Sequence, residues 1–156
     1  MNEASINLLL QDLKNSDEKV RDQATEELWR VWFTQKGVKG FETLQRVQGL
    51  LQAGETTPAE MILTDLIEGM PDFAEALNRR AILYFMIGDY QKAIVDCQAV
   101  IHLNPVHFGA LHGLGMCQAA IGEYHKAIRA FREALKIQPF AIQNQRLILE
   151  CTAKLS

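Results

Sequence analysis

The side chains of this chain with the most chemistry to offer are four histidines and three cysteines, and their spacing assembles none of it. His102, His107, His112 and His125 contain no i, i+4 pair, and no cysteine stands beside them at a metal-ligand spacing, so no metal site is expected. Cys97, Cys117 and Cys151 fall at helix positions that face packing, where cysteine behaves as a small hydrophobe and not as a nucleophile. Gly109, Gly113 and Gly115 follow no strand, so they are not a phosphate-cradling loop; they read as sites of close helix packing. No catalytic, cofactor-binding or metal-binding residue is predicted, and the expectation is a protein that is not an enzyme.

The elements that must position these residues repeat. Ala74 to Pro105 and Phe108 to Pro139 align without insertion at a spacing of 34: Leu77 on Leu111, Ala81 on Gly115, Gly88 on Gly122, Tyr90 on Tyr124, Ala93 on Ala127 and Pro105 on Pro139. Each copy reads as two helices. Gly88 and Gly122 make the turn, because glycine tolerates positive φ, and the prolines end the second helix. Such a unit cannot bury its apolar face alone, so copies must stack into a solenoid with a concave groove. A worn copy precedes them, with Gly54, Ala59, Leu63, Leu66 and Pro71 in register. Thr57-Pro58-Ala59-Glu60 and Asp72-Phe73-Ala74-Glu75 read as capping boxes opening helices. Ile142, Leu147, Ile148, Cys151 and Leu155 mark a final helix that shields the last apolar face.

Residues 1–37 do not share the period. Ile6, Leu9, Leu10 and Leu13 form one helical face, and Val20, Ala24, Leu28, Val31 and Trp32 form another. Trp29, Trp32 and Phe33 put a large apolar load into five residues. They read either as a cap on one end of the solenoid or as an exposed patch for a partner. At 48% hydrophobic, 22% charged and net −3, the composition is that of a globular chain. Its apolar runs are too short to span a membrane. Residues 1–73 hold 7 Lys/Arg against 13 Asp/Glu, and residues 74–156 hold 9 against 6, an asymmetry that can orient a charged partner. Odd cysteine usage and the lack of a leader at Met1–Ser5 give the cytoplasm as the expected location. The plastid stroma is the alternative if a transit segment belongs ahead of these residues.

Residues 74–139 resemble the tetratricopeptide repeat, carried by Leu111, Leu114, Gly115, Ala127, Phe131 and Pro139 in the second copy. The resemblance implies an all-α, right-handed helical-hairpin solenoid. Its expected divisions are an N-terminal hairpin at 1–37 that resembles a HEAT hairpin, and a repeat domain at 38–156. The latter comprises a degenerate repeat at 40–73, repeats at 74–107 and 108–141, and a capping helix at 142–156. The whole arrangement, with Glu26 to Phe33 ahead of the repeats, also looks like small uncharacterised repeat proteins of photosynthetic bacteria and plastids. In this family Arg80 stands where many copies place a buried leucine, and Asp96 on the partner helix should face it. A planar guanidinium can meet that carboxylate with two bonds.

Family geometry lines the concave groove with the first helix of each pair. That implies a partner-binding groove of Asn78, Arg79, Ile82, Phe85, Met86, His112, Met116 and Arg146. Glu75, Gly109, Gly113, Ala120, Phe41, Leu44, Gln48, Leu51 and Glu150 border it. The expected function is non-catalytic binding of a protein or peptide, as an adaptor or assembly factor, unless the chain's own terminal helices fill the groove. The alternative is a self-associating structural subunit, a homo-oligomer docked through the N-terminal aromatics. Relatives that clamp a C-terminal carboxylate use Lys, Asn and Arg at fixed groove positions. Here those positions hold Leu44, Gln48, Arg79, Gly109 and Gly113, or Asn78, Ile82, Gly113, Gln143 and Leu147, and neither set supplies the clamp. Lys126, Arg129, Arg132 and Lys136 form a basic stripe, but Glu133 interrupts it and the chain is acidic, so no nucleic acid is expected. No cofactor and no membrane insertion are expected.

Overall fold

The computed structural model describes all residues 1–156 and contains nine helices and no strand. They are α1 (Glu3–Asp12), α2 (Glu18–Phe33), α3 (Gly37–Gln52), α4 (Thr56–Gly69), α5 (Ala74–Met86), α6 (Tyr90–Leu103), α7 (Phe108–Ala120), α8 (Tyr124–Ile137) and α9 (Ile142–Lys154). From α3 onward the helices pair and stack in chain order. The turns that close the pairs are built alike. Gly54, Gly88 and Gly122 have φ of 77°, 81° and 82°. The next N–H in each turn reaches back five residues, Glu55 to Leu50, Asp89 to Tyr84 and Glu123 to Gln118, at 2.8–2.9 Å. These bonds satisfy carbonyls that the helix end leaves orphaned. The worn copy thus turns as tightly as the others, although its first helix carries a different apolar pattern.

Within the pairs, small residues set the spacing. A Cβ on Gly115 would lie 2.5 Å from the ring of Phe131, which is fully buried. Ala93 and Ala127 are likewise fully buried. Arg80 meets Asp96 through Nε–H to Oδ2 at 2.7 Å and Nη2–H to Oδ1 at 2.9 Å, and Nη1–H reaches Thr64 Oγ1 at 3.3 Å. One guanidinium therefore ties α4, α5 and α6.

Neither capping box forms. The caps of α4 and α5, Glu55 and Phe73, make no side-chain cap bond. Glu60 instead accepts from Tyr84 Oη–H at 2.9 Å, and Glu75 turns to α7. Asp72 takes a bond from Lys36 Nζ at 2.7 Å. Each acid found a tertiary donor; for Glu60 and Glu75 the bond lies at least partly out of water, where a charge-assisted bond is stronger than an exposed cap, while that of Asp72 stays exposed.

The N-terminal hairpin differs from the expected end cap. It lies along the edge formed by the turns between repeats. Arg21, near the start of α2, sits 4.1 Å over the ring of Phe140, beyond α8. At its other end, Phe33 lies 4.7 Å from the Arg79 guanidinium on α5. Leu13, Ala24, Leu28 and Trp32 form a cluster with Phe108 of α7, and Ile137 packs against it.

Candidate functional site

The concave face is made by the first helices, and one end of it is built around Glu75, which is fully buried. Three groups converge on its carboxylate. His107 Nε2 is 2.8 Å from Oε1, Arg79 Nε–H donates to Oε2 at 2.8 Å, and Asn78 Nδ2–H donates to the same oxygen at 3.1 Å. The tautomer of His107 follows from its other bond. Its Nδ1 accepts from the Ala110 N–H at 3.0 Å, capping α7, so Nε2 carries the proton and donates to Glu75. Burial pushes the Glu75 carboxyl up, but His107 and Arg79 outweigh it and hold the group below its ordinary value.

Helix α2 closes over this quartet. Trp32 stacks on His107 with ring centroids 4.3 Å apart and planes 19° apart. Trp29 meets His107 edge-on at 5.3 Å and Phe108 at 5.4 Å. The Arg79 guanidinium lies over Trp29 and Phe33. Gly109 makes this approach possible, since a Cβ there would stand 2.6 Å from the Trp29 ring. The space expected for a partner at Gly109 is occupied by the chain's own tryptophan.

This occupancy divides the residues expected to line the groove. Asn78 is buried, and Arg79 is half-buried with its Nε–H on Glu75 and its guanidinium over Trp29 and Phe33. Phe85 is half-buried against Tyr90, ring to ring at 5.5 Å, and turns into the repeat core instead of the groove. Met116 is half-buried against the cluster of Ile128, Phe131 and Cys151. His112 is half-buried, its Nδ1 2.7 Å from Asn144 Oδ1 on α9. Ile82 and Met86 remain open, at 37% and 54% exposure, continuing the stripe of Arg79 along α5. Arg146 is also exposed. Between α2 and α3 a cleft of ≈ 580 Å³ is lined by Trp29, Phe33, Phe41, Gln45, Gln48 and Gln52 among others. Trp32 is buried inside the chain, while Trp29 and Phe33 are half-buried and line this cleft.

All three cysteines are free and buried. A hydrogen bond between the Cys97 and Cys117 thiols raises Cys97, which burial raises further, and lowers Cys117. Burial raises Cys151.

Sequence reasoning missed the Glu75–His107 bond and the seating of Trp29. The available signal was asymmetry: Gly109 stands where the preceding copy has Glu75, while Trp29, Trp32 and Phe33 share one face of α2 at i, i+3 and i+4.

A stack of antiparallel helix pairs with a partly filled concave face defines a helical repeat scaffold. Residues 74–107 and 108–141 match family models described as tetratricopeptide repeat, and the chain carries two such repeats. It is 38% identical over 77 residues to a TPR repeat-containing protein of Rhizobium etli, an alignment covering 49% of this chain and 38% of the relative. The chain thus accounts for well under half of that protein's length. Among solved structures, the first TPR domain of Spaghetti (RPAP3), bound to an HSP90 peptide, superposes with a TM-score of 0.69 at 18% identity. That match covers 71% of this chain and 88% of the other. The second TPR domain of human RPAP3, in complex with an HSP70 peptide, gives 0.67 at 23% identity, over 70% and 92%. These likenesses establish the fold.

Proposed function

We propose that this chain is a non-catalytic interaction scaffold, an adaptor that holds a peptide or helix of another protein on the open part of its concave face. The observation that carries this reading is Ile82 and Met86, exposed on a helix that otherwise buries most of its surface. An apolar, adaptable strip on α5, together with a cleft between α2 and α3 lined by Phe33, Phe41 and three glutamines, suits an amphipathic or extended segment anchored at a few side chains. The heat-shock peptides borne by the similar structures are not the expected ligand. At the positions where a carboxylate clamp would stand, Leu44 is buried, Arg79 is held by Glu75 and Gly109 receives Trp29. A role in assembling larger complexes is the form of adaptor we favour.

The test is affinity capture from the source cells with wild type beside Ile82→Glu/Met86→Glu, followed by titration of the captured protein with the purified chain. Loss of one partner in the variant, with helicity intact, supports the reading. An unchanged set of captured proteins sinks it. The HSP90 peptide SRMEEVD should show no saturable binding below about 1 mM; micromolar affinity would restore the chaperone-tail reading.

A further inference from the structure

The two grooves between successive second helices use the same repeat positions and end up opposite in character. Between α4 and α6 the space over α5 is plugged. Arg80 donates twice to Asp96 and once to Thr64, Tyr84 Oη–H donates to Glu60, and Lys92 Nζ stands 5.5 Å over the Tyr84 ring. In the next groove, 34 residues on, Glu60, Thr64, Arg80, Tyr84 and Asp96 become Ile94, Gln98, Leu114, Gln118 and Ala130. Only Lys92 keeps its type, as Lys126. All six of these later residues line a cleft of ≈ 410 Å³ between α6 and α8, floored by α7. The cleft is the space that the plug leaves when its members are exchanged.

The exchange also leaves a polar atom behind. Gln118 is 7% exposed, and its Oε1 is the only buried side-chain nitrogen or oxygen of the chain without a hydrogen-bond partner. Such an atom is uncommon and points to a missing donor. Around it Ile94, Ile101, Leu111, Leu114 and Ile121 supply an apolar wall, and an apolar cleft with a few polar groups is the usual form of a binding site. At the rim Glu123 pairs with Lys126 and Glu133 with Lys136, whereas Arg129 forms no ion pair.

We infer that this cleft is a binding site for a tyrosine side chain of a partner protein, presented beside an acidic residue. The ring fills the space that Tyr84 and the Arg80 stem fill in the preceding groove, its O–H donates to Gln118 Oε1, and the neighbouring acid meets Arg129. Lys126 favours an aromatic guest over a cationic one. A phenol carries its donor at the tip of the ring, where it reaches the floor, while phenylalanine would leave Oε1 without a donor. The site lies between the second helices, apart from Ile82 and Met86 on the concave face.

The test is an NMR titration of the isotopically labelled full chain with the blocked dipeptide acetyl-glutamyl-tyrosinamide. Saturable shifts of the Gln118 side-chain amide and the Ile94 and Leu114 methyls are expected, with a Kd on the order of millimolar. The phenylalanine counterpart should bind about fivefold more weakly, through loss of one hydrogen bond. Acetyl-lysyl-tyrosinamide should bind at least about twofold more weakly, through loss of an exposed ion pair. Leu114→Arg/Ala130→Asp rebuilds the plug and should bind no probe, with helicity unchanged. If that variant fails to fold, Gln118→Met keeps the side-chain length without the acceptor and should bind the tyrosine and phenylalanine probes alike. No saturable shift at these residues below about 20 mM would overturn the site and leave Gln118 to water. Undiminished binding to the plugged variant would overturn it too. Equal binding of the tyrosine and phenylalanine probes to wild type would overturn the tyrosine, and equal or tighter binding of the lysyl probe would overturn the acidic neighbour. Ile82→Glu/Met86→Glu should bind the probe as wild type does, so this inference and the concave-face reading fail separately.

Discussion

Two interfaces in this molecule are both lined by aromatic rings set against glycine, and they differ in everything else. Between α7 and α8, Phe131 fills the space over Gly115 and is fully buried among Ala127, Ile128 and Cys151. Between α2 and α7, Trp29 fills the space over Gly109, yet it remains half-buried, rests on a hydrogen-bonded polar quartet and borders a cleft. The first interface joins neighbours in sequence, within one helix pair of the kind that recurs with the repeat. The second joins elements about 80 residues apart and occurs once. Close packing of apolar groups makes the first one structural. Polar satisfaction beneath the ring and open space beside it distinguish the second.

The comparison breaks most readily at Phe131. Phe131→Ala should cost about 3–5 kcal/mol, and unfolding followed by helicity and by tryptophan emission should shift together. Both tryptophans lie in α2, so emission reports on the hairpin. If emission held while helicity fell, the hairpin would not depend on the repeats. Asp96→Ala should cost about 2–4 kcal/mol in denaturant unfolding, because it leaves Arg80 with only Thr64. A loss below about 0.5 kcal/mol would mean that Arg80 turns to solvent.

Smaller effects sharpen the seam. The folded Glu75 carboxyl titrates below its ordinary 4.5, so the unfolded chain binds the extra proton first. The stability from this group is present above about pH 4.5 and is lost as the pH falls through the folded value. Glu75→Gln should flatten that acid limb, most visibly in tryptophan emission; an unchanged limb would place the acid sensitivity elsewhere. Tyr84 gives the opposite sign. Burial, then its bond to Glu60, push its hydroxyl up to about 12. Its contribution is full below about pH 10 and fades as the pH rises toward the folded value, so Tyr84→Phe should remove that alkaline slope from melting curves. Smallest of all, Ile82→Ala and Met86→Ala should each change stability by less than about 0.5 kcal/mol. A larger loss would show that these side chains belong to the core.

What the residues determined by themselves is local. Glycine at 54, 88 and 122, each at positive φ, and proline at 71, 105 and 139 punctuate the chain every 34 residues. Between these marks the apolar spacing admits only paired helices that must stack. Arg80 and Asp96, 16 residues apart on the two helices of one pair, were legible for the same reason: a hairpin fixes which residues face each other. Only the tertiary structure decided where the aperiodic hairpin goes, that Glu60 and Glu75 abandon their helix ends for Tyr84 and His107, and that Trp29 already fills the expected groove at Gly109. A repeat announces its contacts because they recur at a fixed separation. Helix α2, by contrast, has an apolar face that fits any concave surface of suitable width. Its place is marked by a single notch at Gly109 and a single buried carboxylate at Glu75, which become a site only when three distant segments of the chain meet.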